Sequence, residues 1–264
     1  MLINLIKDEK KLIEFDSGFY FGKGLFETIL VIDKPIFLEE HLSRLNSGLI
    51  RLNINTKIDR EMILENIQGV KNCALKLMVS EENIVLSKRE LNYKQSQYDN
   101  GFKLKLSKLR RDPNSHMVKL KSFNYMDNTL ERELALKEGF DEAIFLNTEN
   151  FLCEGSVSNL FIVMEDCIIT PLVECGLLDG IVRSFIIKEL GRKYNIIEEK
   201  IPMENIEKCK GIFITNSLMG VMWVNSFDDL KLSKTTVSEE IKDYYDRYIG
   251  CDTNLNYLNT SCLK

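Results

Sequence analysis

Lys119-Leu-Lys-Ser-Phe-Asn-Tyr125 and Glu154-Gly-Ser-Val-Ser-Asn159 are the two stretches on which the reading of this chain turns. The first lies between an apparent strand edge and a run over residues 126–138 that is spaced like a helix and that Gly139 would end. Lys121 is thereby set at a strand-to-helix edge, where side chains are often aimed into a cleft. In the second stretch, a strand over 151–154 delivers Glu154 to a Gly-Ser turn, with Phe151, Leu152 and Cys153 ahead of it. Taken singly, Lys121 also suits a solvated amine and Glu154 a strand-end carboxylate facing water. Asn159 equally suits a side chain that bonds within its own turn.

Working outward, apolar strands are predicted at Leu2–Ile6 and Glu27–Ile32. Between Ile36-Phe37 and residue 50, Leu38, Leu42, Leu45 and Leu49 recur at helical period, one apolar face with Arg44 on the polar side. Residues 59–70 read as a second amphipathic helix. Cys73, Leu75, Leu77 and Val79 alternate as a half-buried strand, as do Phe102, Leu104 and Leu106. Arg110-Arg111-Asp112-Pro113-Asn114-Ser115 combines charge, Pro and turn formers and is the expected linker. It divides the chain into a lobe over 1–112 and a lobe over 113–264 that carries Lys121. Beyond it, strands are predicted at 142–147, 151–154, 159–164, 167–170 and 211–215. Helices are predicted from Ile181 to about Tyr194, and from a capping box at Thr236-Val-Ser-Glu239 to Gly250. The polar tail 251–264 is expected to be loosely held. Strands mixed with segregated helices indicate an α+β architecture in two lobes rather than a doubly wound parallel sheet.

Composition limits the function. With 264 residues, 44% hydrophobic and 28% charged, the chain is of ordinary globular make-up, enough for one or two domains. A formal net charge of −5, with Lys and Arg interspersed among Asp and Glu, argues against a nucleic-acid binder. The seven cysteines are odd in number and never form Cys-x-x-Cys, which suits neither a disulfide framework nor a zinc site and points to a reducing, cytosolic compartment. The N-terminus turns charged too early for a signal peptide. No apolar run approaches the roughly 18–20 residues that span a bilayer. His41 and His116 offer no ligand spacing, so no metal is expected.

The remaining candidates are anion sites. Asp179-Gly-Ile-Val-Arg183 opens a helix, whose first amides suit a phosphate. Thr215-Asn-Ser217 is a small polar cluster after an apolar strand, able to cradle phosphate or to cap the next segment. Gly22-Lys-Gly24 lacks the third glycine and the context of a dinucleotide fingerprint. A lysine amine and a sheltered carboxylate are together what a protein supplies to pyridoxal phosphate. The amine holds the aldehyde as a Schiff base and the carboxylate keeps the pyridine nitrogen protonated.

Six segments in order resemble the fold-type IV pyridoxal phosphate enzymes, the class-IV aminotransferase family. They are Asp16–Thr28, His41-Leu-Ser-Arg-Leu45, Lys121–Tyr125, Glu154–Asn159, Leu177–Arg183 and Thr215–Met219. The resemblance implies the two-lobed fold of D-amino-acid aminotransferases, a homodimer, a small-molecule substrate and a cofactor held in a cleft. It makes Lys121 the Schiff-base lysine and Glu154 the partner of the pyridine nitrogen. Arg44, the amides of Ile181 and Val182, and Asn216 or Ser217 would hold the phosphate, and Leu178 would pack under the ring. Phe26, Arg110 and Arg111 are candidates for the substrate. Val182 stands where many members carry Thr, and Ser17 where many carry Arg or His. Within the family, Lys119–Tyr125, Leu177–Ile181 and Ile214–Met219 are most similar to 4-amino-4-deoxychorismate lyases, which make the folate precursor 4-aminobenzoate. D-amino-acid and branched-chain aminotransferases are the alternatives.

Overall fold

The computed structural model describes residues 2–5 and 12–250. The tail 251–264, with Cys251 and Cys262, lies outside them. Two compact units emerge, one made of residues 1–92 with Leu120–Tyr125, the other of Tyr93–Lys119 and Met126 onward.

In the first unit the elements are β1 (Leu2–Asn4), α1 (Ser17–Phe21), β2 (Leu25–Val31), α2 (Leu38–Arg51), α3 (Arg60–Asn66), β3 (Cys73–Val79) and β4 (Asn83–Arg89). The strands form one sheet in the order β1-β4-β3-β2, antiparallel except where β1 runs parallel to β4. Leu38, Leu42, Leu45 and Leu49 of α2 are buried as their spacing requires, and α2 packs on β2. Asp59 caps α3 by accepting from the Met62 N–H, so this helix starts where expected and is shorter than its pattern.

The stretch carrying Lys121 belongs to this unit, not to the other. Ser122 makes an antiparallel bridge with Leu25, the Phe26 N–H donates to the Lys121 carbonyl at 2.8 Å, and the Phe123 N–H donates to Gly24 at 2.9 Å. A Cβ on Gly24 would come within 2.4 Å of the Phe123 ring, so the close approach needs glycine. The expected division at 112/113, with the lysine on the second lobe, is therefore corrected.

The second unit contains α4 (Gln95–Asn100), β5 (Phe102–Arg111), α5 (Met126–Lys137), β6 (Glu142–Asn147), β7 (Leu152–Gly155), β8 (Asn159–Val163) and β9 (Ile168–Pro171). After a 3₁₀ turn at Val173–Cys175 come α6 (Ile181–Leu190), β10 (Ile196–Glu199), α7 (Glu204–Lys208), β11 (Gly211–Asn216), β12 (Gly220–Phe227), β13 (Leu230–Lys231) and α8 (Thr236–Tyr248). A mixed sheet runs β10-β9-β8-β11-β12-β5-β6-β7, with β13 added on β12. Its core holds Phe102, Leu104, Ile144, Leu160, Ile212 and Met222. The class is α+β, as the pattern of elements predicts.

Several boundaries differ from expectation: β2 runs Leu25–Val31 rather than Glu27–Ile32, and α6 stops at Leu190 rather than near Tyr194. Arg110 and Arg111 are not linker but the end of β5, paired with Leu146 and Asn147 after a register shift that interrupts the alternation. The cap of α8 is Thr235, whose side chain accepts from the Ser238 N–H at 3.1 Å, one residue before the expected Thr236. Among the described residues, no helix is long and apolar enough to cross a membrane.

One feature of the second unit positions the loop after β7. Glu142, at the start of β6, is 1% exposed, and its carboxylate accepts from the amides of Ser156 (3.1 Å) and Val157 (3.3 Å) and from the hydroxyls of Ser156 and Ser158. Burial raises the pKa of this carboxyl above its ordinary value, against the opposing pull of these hydrogen bonds and of Arg132. The turn 154–159 is thus wound around a buried acceptor. Glu142→Ala leaves those donors without an acceptor. It is expected to lower the unfolding free energy by on the order of 3 kcal/mol in urea, with Glu142→Gln costing less.

Candidate functional site

On the first unit, strand β2 supplies one wall of the lysine site, Phe26, and the stretch after Lys121 supplies the other, Tyr125. Phe26 is buried, and the Lys121 ammonium stands 4.7 Å from its ring centre and 5.3 Å from that of Tyr125. The two rings meet edge to face at 5.2 Å. The backbone bond between Phe26 and Lys121 fixes this arrangement, so an amine is held against aromatic surface, where cations bind favourably. Lys121 and Phe26, both read as site residues, are brought together.

Arg44 is not on a solvated face. Glu27, one residue beyond Phe26 and pointing to the other side of β2, is 1% exposed and takes both the Arg44 Nε and a terminal nitrogen at 2.8 Å each. Its second oxygen lies 2.7 Å from His41 Nδ1. Burial by itself would raise the Glu27 pKa, but the charges of Arg44 and His41 and their hydrogen bonds outweigh it and hold the carboxyl well below the usual carboxylate range. His41 and Arg44 share one face of α2 at i and i+3, which is why one carboxylate reaches both. Sequence reading passed over Glu27; its trace was an acid inside an apolar strand, followed by a His-x-x-Arg on the next helix.

On the second unit, β7 carries Glu154 into the interior, 7% exposed. Its carboxylate accepts from the Leu178 N–H at 3.1 Å and lies 3.4 Å from the Arg111 guanidinium. Arg111 in turn stacks 4.2 Å over the Phe145 ring. Arg111, expected on the substrate, is therefore seated against a carboxylate of the protein itself. Arg110 goes elsewhere, exposed and donating to the Ser107 carbonyl at 2.9 Å. The Asn159 amide donates to the Leu178 carbonyl at 2.9 Å, so β7, β8 and the loop before α6 are tied together through Leu178.

That loop ends in Gly180, the cap of α6, which has no side chain with which to satisfy the first amides. A Cβ there would fall 1.8 Å from the Asn159 Oδ1, so the helix start is drawn in against β8. Ile181 and Val182 are its first two helical residues. In β11, Thr215 pairs with Asn159 across the sheet, and its buried hydroxyl has no hydrogen-bond partner. Asn216 is committed to its own turn, accepting from Leu218 at 3.0 Å and Met219 at 2.7 Å and donating to the Tyr93 hydroxyl at 2.9 Å. Ser217, half-buried in the same turn, is the neighbouring hydroxyl. A helix start without a cap and a buried hydroxyl without a partner are what a phosphate would complete. On the second unit the helix start, the hydroxyl and the sheltered Glu154 carboxylate suit the phosphate and ring nitrogen of pyridoxal phosphate, and on the first unit the Lys121 amine suits its aldehyde. Among the described residues no cluster of His, Cys, Asp or Glu could hold a metal ion.

Comparison with known proteins agrees with this chemistry. The family model "Amino-transferase class IV" matches residues 24–227, and the enzymes of that family depend on pyridoxal phosphate. A candidate branched-chain-amino-acid aminotransferase of Methanocaldococcus jannaschii is 26% identical over 265 residues, covering 91% of this chain and 92% of its own. The aminodeoxychorismate lyase of Bacillus subtilis is 26% identical over 238 residues, covering 80% of each. The crystal structure of a candidate 4-amino-4-deoxychorismate lyase from Legionella pneumophila superposes with a TM-score of 0.85 at 26% identity, covering 94% of this chain and 99% of that one.

The Glu27 cluster has a consequence for stability against pH. A carboxyl whose folded pKa is depressed contributes stability that is present above its unfolded pKa, and this stability is lost as pH falls. Unfolding free energy measured from pH 7 down through the ordinary carboxylate range should fall, in part through Glu27. Glu27→Gln should flatten that slope and cost on the order of 3 kcal/mol at pH 7, because Arg44 loses its counter-charge.

Proposed function

As a member of the class IV amino-transferase family, this chain is, we propose, a pyridoxal-phosphate-dependent 4-amino-4-deoxychorismate lyase that releases pyruvate to give 4-aminobenzoate. The observation that carries the reading is the Lys121 amine held against Phe26 and Tyr125 on the edge of β2. Its support for a lyase comes from the likeness to the Bacillus subtilis and Legionella pneumophila proteins.

In this reading Lys121 bears the cofactor and Glu154 holds the proton of the pyridine nitrogen. Arg44, the Ile181 and Val182 amides and the Ser217 hydroxyl bind the phosphate, and Leu178 packs against the ring. When bound, pyridoxal phosphate supplies a sink for the electron pair released as the substrate loses a proton. The Lys121 amine would take the C4 proton of the substrate as general base. Lys121 next returns a proton to the enolpyruvyl methylene. The C–O bond to the ring breaks, pyruvate leaves, and the ring becomes aromatic. No amino acceptor is consumed. Glu27 and His41 act through Arg44, holding its guanidinium still on α2. Tyr125 and Phe26 keep bulk water from the amine.

A second reading, an aminotransferase for branched-chain or D-amino acids, is favoured by the Methanocaldococcus jannaschii relative. It uses the same Lys121 but needs a keto acid. The deciding assay gives the cofactor-loaded protein 4-amino-4-deoxychorismate made in situ and follows 4-aminobenzoate by fluorescence. Product should form without any keto acid and disappear in Lys121→Ala while the fold survives. Turnover that starts only on adding a keto acid would move the assignment to the aminotransferase.

The first unit also bears an exposed aromatic patch, Phe15, Phe19, Tyr20 and Phe21, whose rings contact one another. A second copy of the chain is its proposed cover, in keeping with a homodimer. Light scattering should report a dimer, and a monomeric mass at micromolar concentration would refute it.

A further inference from the structure

Tyr93 opens the second unit, directly after the main stretch of the first ends at Asn92. From there the chain runs through α4 to Gly101 and into β5. This segment is laid along the β11–β12 hairpin. The Trp223 indole N–H donates to the Tyr98 carbonyl at 2.8 Å, and the Asn225 side-chain amide donates to the Asn100 carbonyl at 3.0 Å. Gly101 has φ +70, and a Cβ there would fall 2.6 Å from the Trp223 ring, so the segment passes into β5 by way of a glycine. The Tyr93 ring, half-buried, lies 6.2 Å from that of Phe102 at the start of β5.

Both tyrosine hydroxyls of the segment reach the turn that joins β11 to β12. Tyr98 donates to the Met219 carbonyl at 2.9 Å, and Tyr93 accepts from the Asn216 side-chain amide at 2.9 Å. The turn is thus gripped at its first and last residues from outside the hairpin. The Tyr93 bond also fixes which way the Asn216 amide faces. Asn216 Oδ1 accepts from the Leu218 N–H at 3.0 Å and the Met219 N–H at 2.7 Å, which leaves Nδ2 in need of an acceptor. Tyr93 is that acceptor. Without it the amide is free to rotate, and a rotated amide sets donors against donors and opens the turn. Ser217 lies inside this turn.

We propose that Tyr93 and Tyr98 are positioning residues for the cofactor's phosphate, a clamp that sets the 216–219 turn before the phosphate arrives. The inference rests on the reading of Ser217 as a phosphate ligand. Neither tyrosine touches the cofactor; each acts through the turn. The clamp therefore favours a phosphorylated aldehyde over the same aldehyde without phosphate, which makes no demand on Ser217. The coupling is reciprocal, so a phosphate that fixes the turn also steadies residues 93–101. Occupancy of the phosphate site is in this way felt by the chain that follows Asn92.

The test uses full-length wild type, Tyr93→Phe and Tyr98→Phe, each freed of cofactor and titrated with pyridoxal phosphate or pyridoxal by absorbance. Wild type should bind pyridoxal phosphate about a hundredfold more tightly than pyridoxal, the scale of two charge-assisted hydrogen bonds. Tyr93→Phe should weaken pyridoxal phosphate by about five- to tenfold and Tyr98→Phe by about threefold, with pyridoxal changed by less than about twofold in either. Retained pyridoxal binding shows that the variants fold. In hydrogen exchange, pyridoxal phosphate should slow residues 93–101 and 216–219 of wild type, and pyridoxal should not. Tyr93→Phe should lose the slowing at 93–101. A wild type without the phosphate preference, variants that keep it in full, or equal weakening of both aldehydes overturns the proposal. A protein with the Tyr93-dependent preference that makes no 4-aminobenzoate loses the lyase reading and keeps the clamp. An active lyase whose variants keep the whole preference keeps that reading and loses the clamp.

Discussion

A buried carboxylate has to be surrounded by donors, and in this protein that requirement shapes both units. Glu142 is sunk at the start of β6, and the turn that follows β7 folds around it, its amides and hydroxyls directed at one side chain. Such a turn has little freedom, because each rotation away from Glu142 strands a donor in a dry interior. Glu154 enters that turn and Asn159 leaves it, so the positions of both follow from the carboxylate beneath. Glu27 does the same for α2, joining His41 and Arg44 to β2. Neither acid touches the chemistry assigned to the site; both hold residues that do.

The groups that the proposed function assigns to the cofactor are positioned by different means. Lys121 is placed by backbone pairing with β2, which leaves its side chain to be oriented by Phe26 and Tyr125. Glu154 is placed by a strand and held by the Leu178 amide and the Arg111 charge. The α6 start is set by tight contact between Gly180 and Asn159. Strands and buried turns, rather than long loops, carry these groups, and sites built on such elements are held more firmly. The Arg111 guanidinium is seated between Glu154 and Phe145, and Arg110 donates to the Ser107 carbonyl, so both arginines at the end of β5 are engaged by the protein itself.

Local patterning determined the α2 stripe, the alternation of β3, the existence of most strands and helices of the second unit, and the α+β class. These are properties of neighbouring residues and need no tertiary partner. The motif strings around Lys121 and Glu154 also pointed to the cofactor chemistry, since residue type and order survive in the sequence. What only the tertiary structure decided was membership and pairing. Lys121 follows a predicted boundary in the chain yet joins the first unit, because a bridge to Leu25 is a long-range contact without local signature. Arg44 looked solvated from its place on α2, and became an ion-pair residue only when β2 brought Glu27 beneath it. Alternation put Lys76 on the polar face of β3; that the same face carries Phe26 and, beside it, Lys121 depends on strand register, which no single strand encodes.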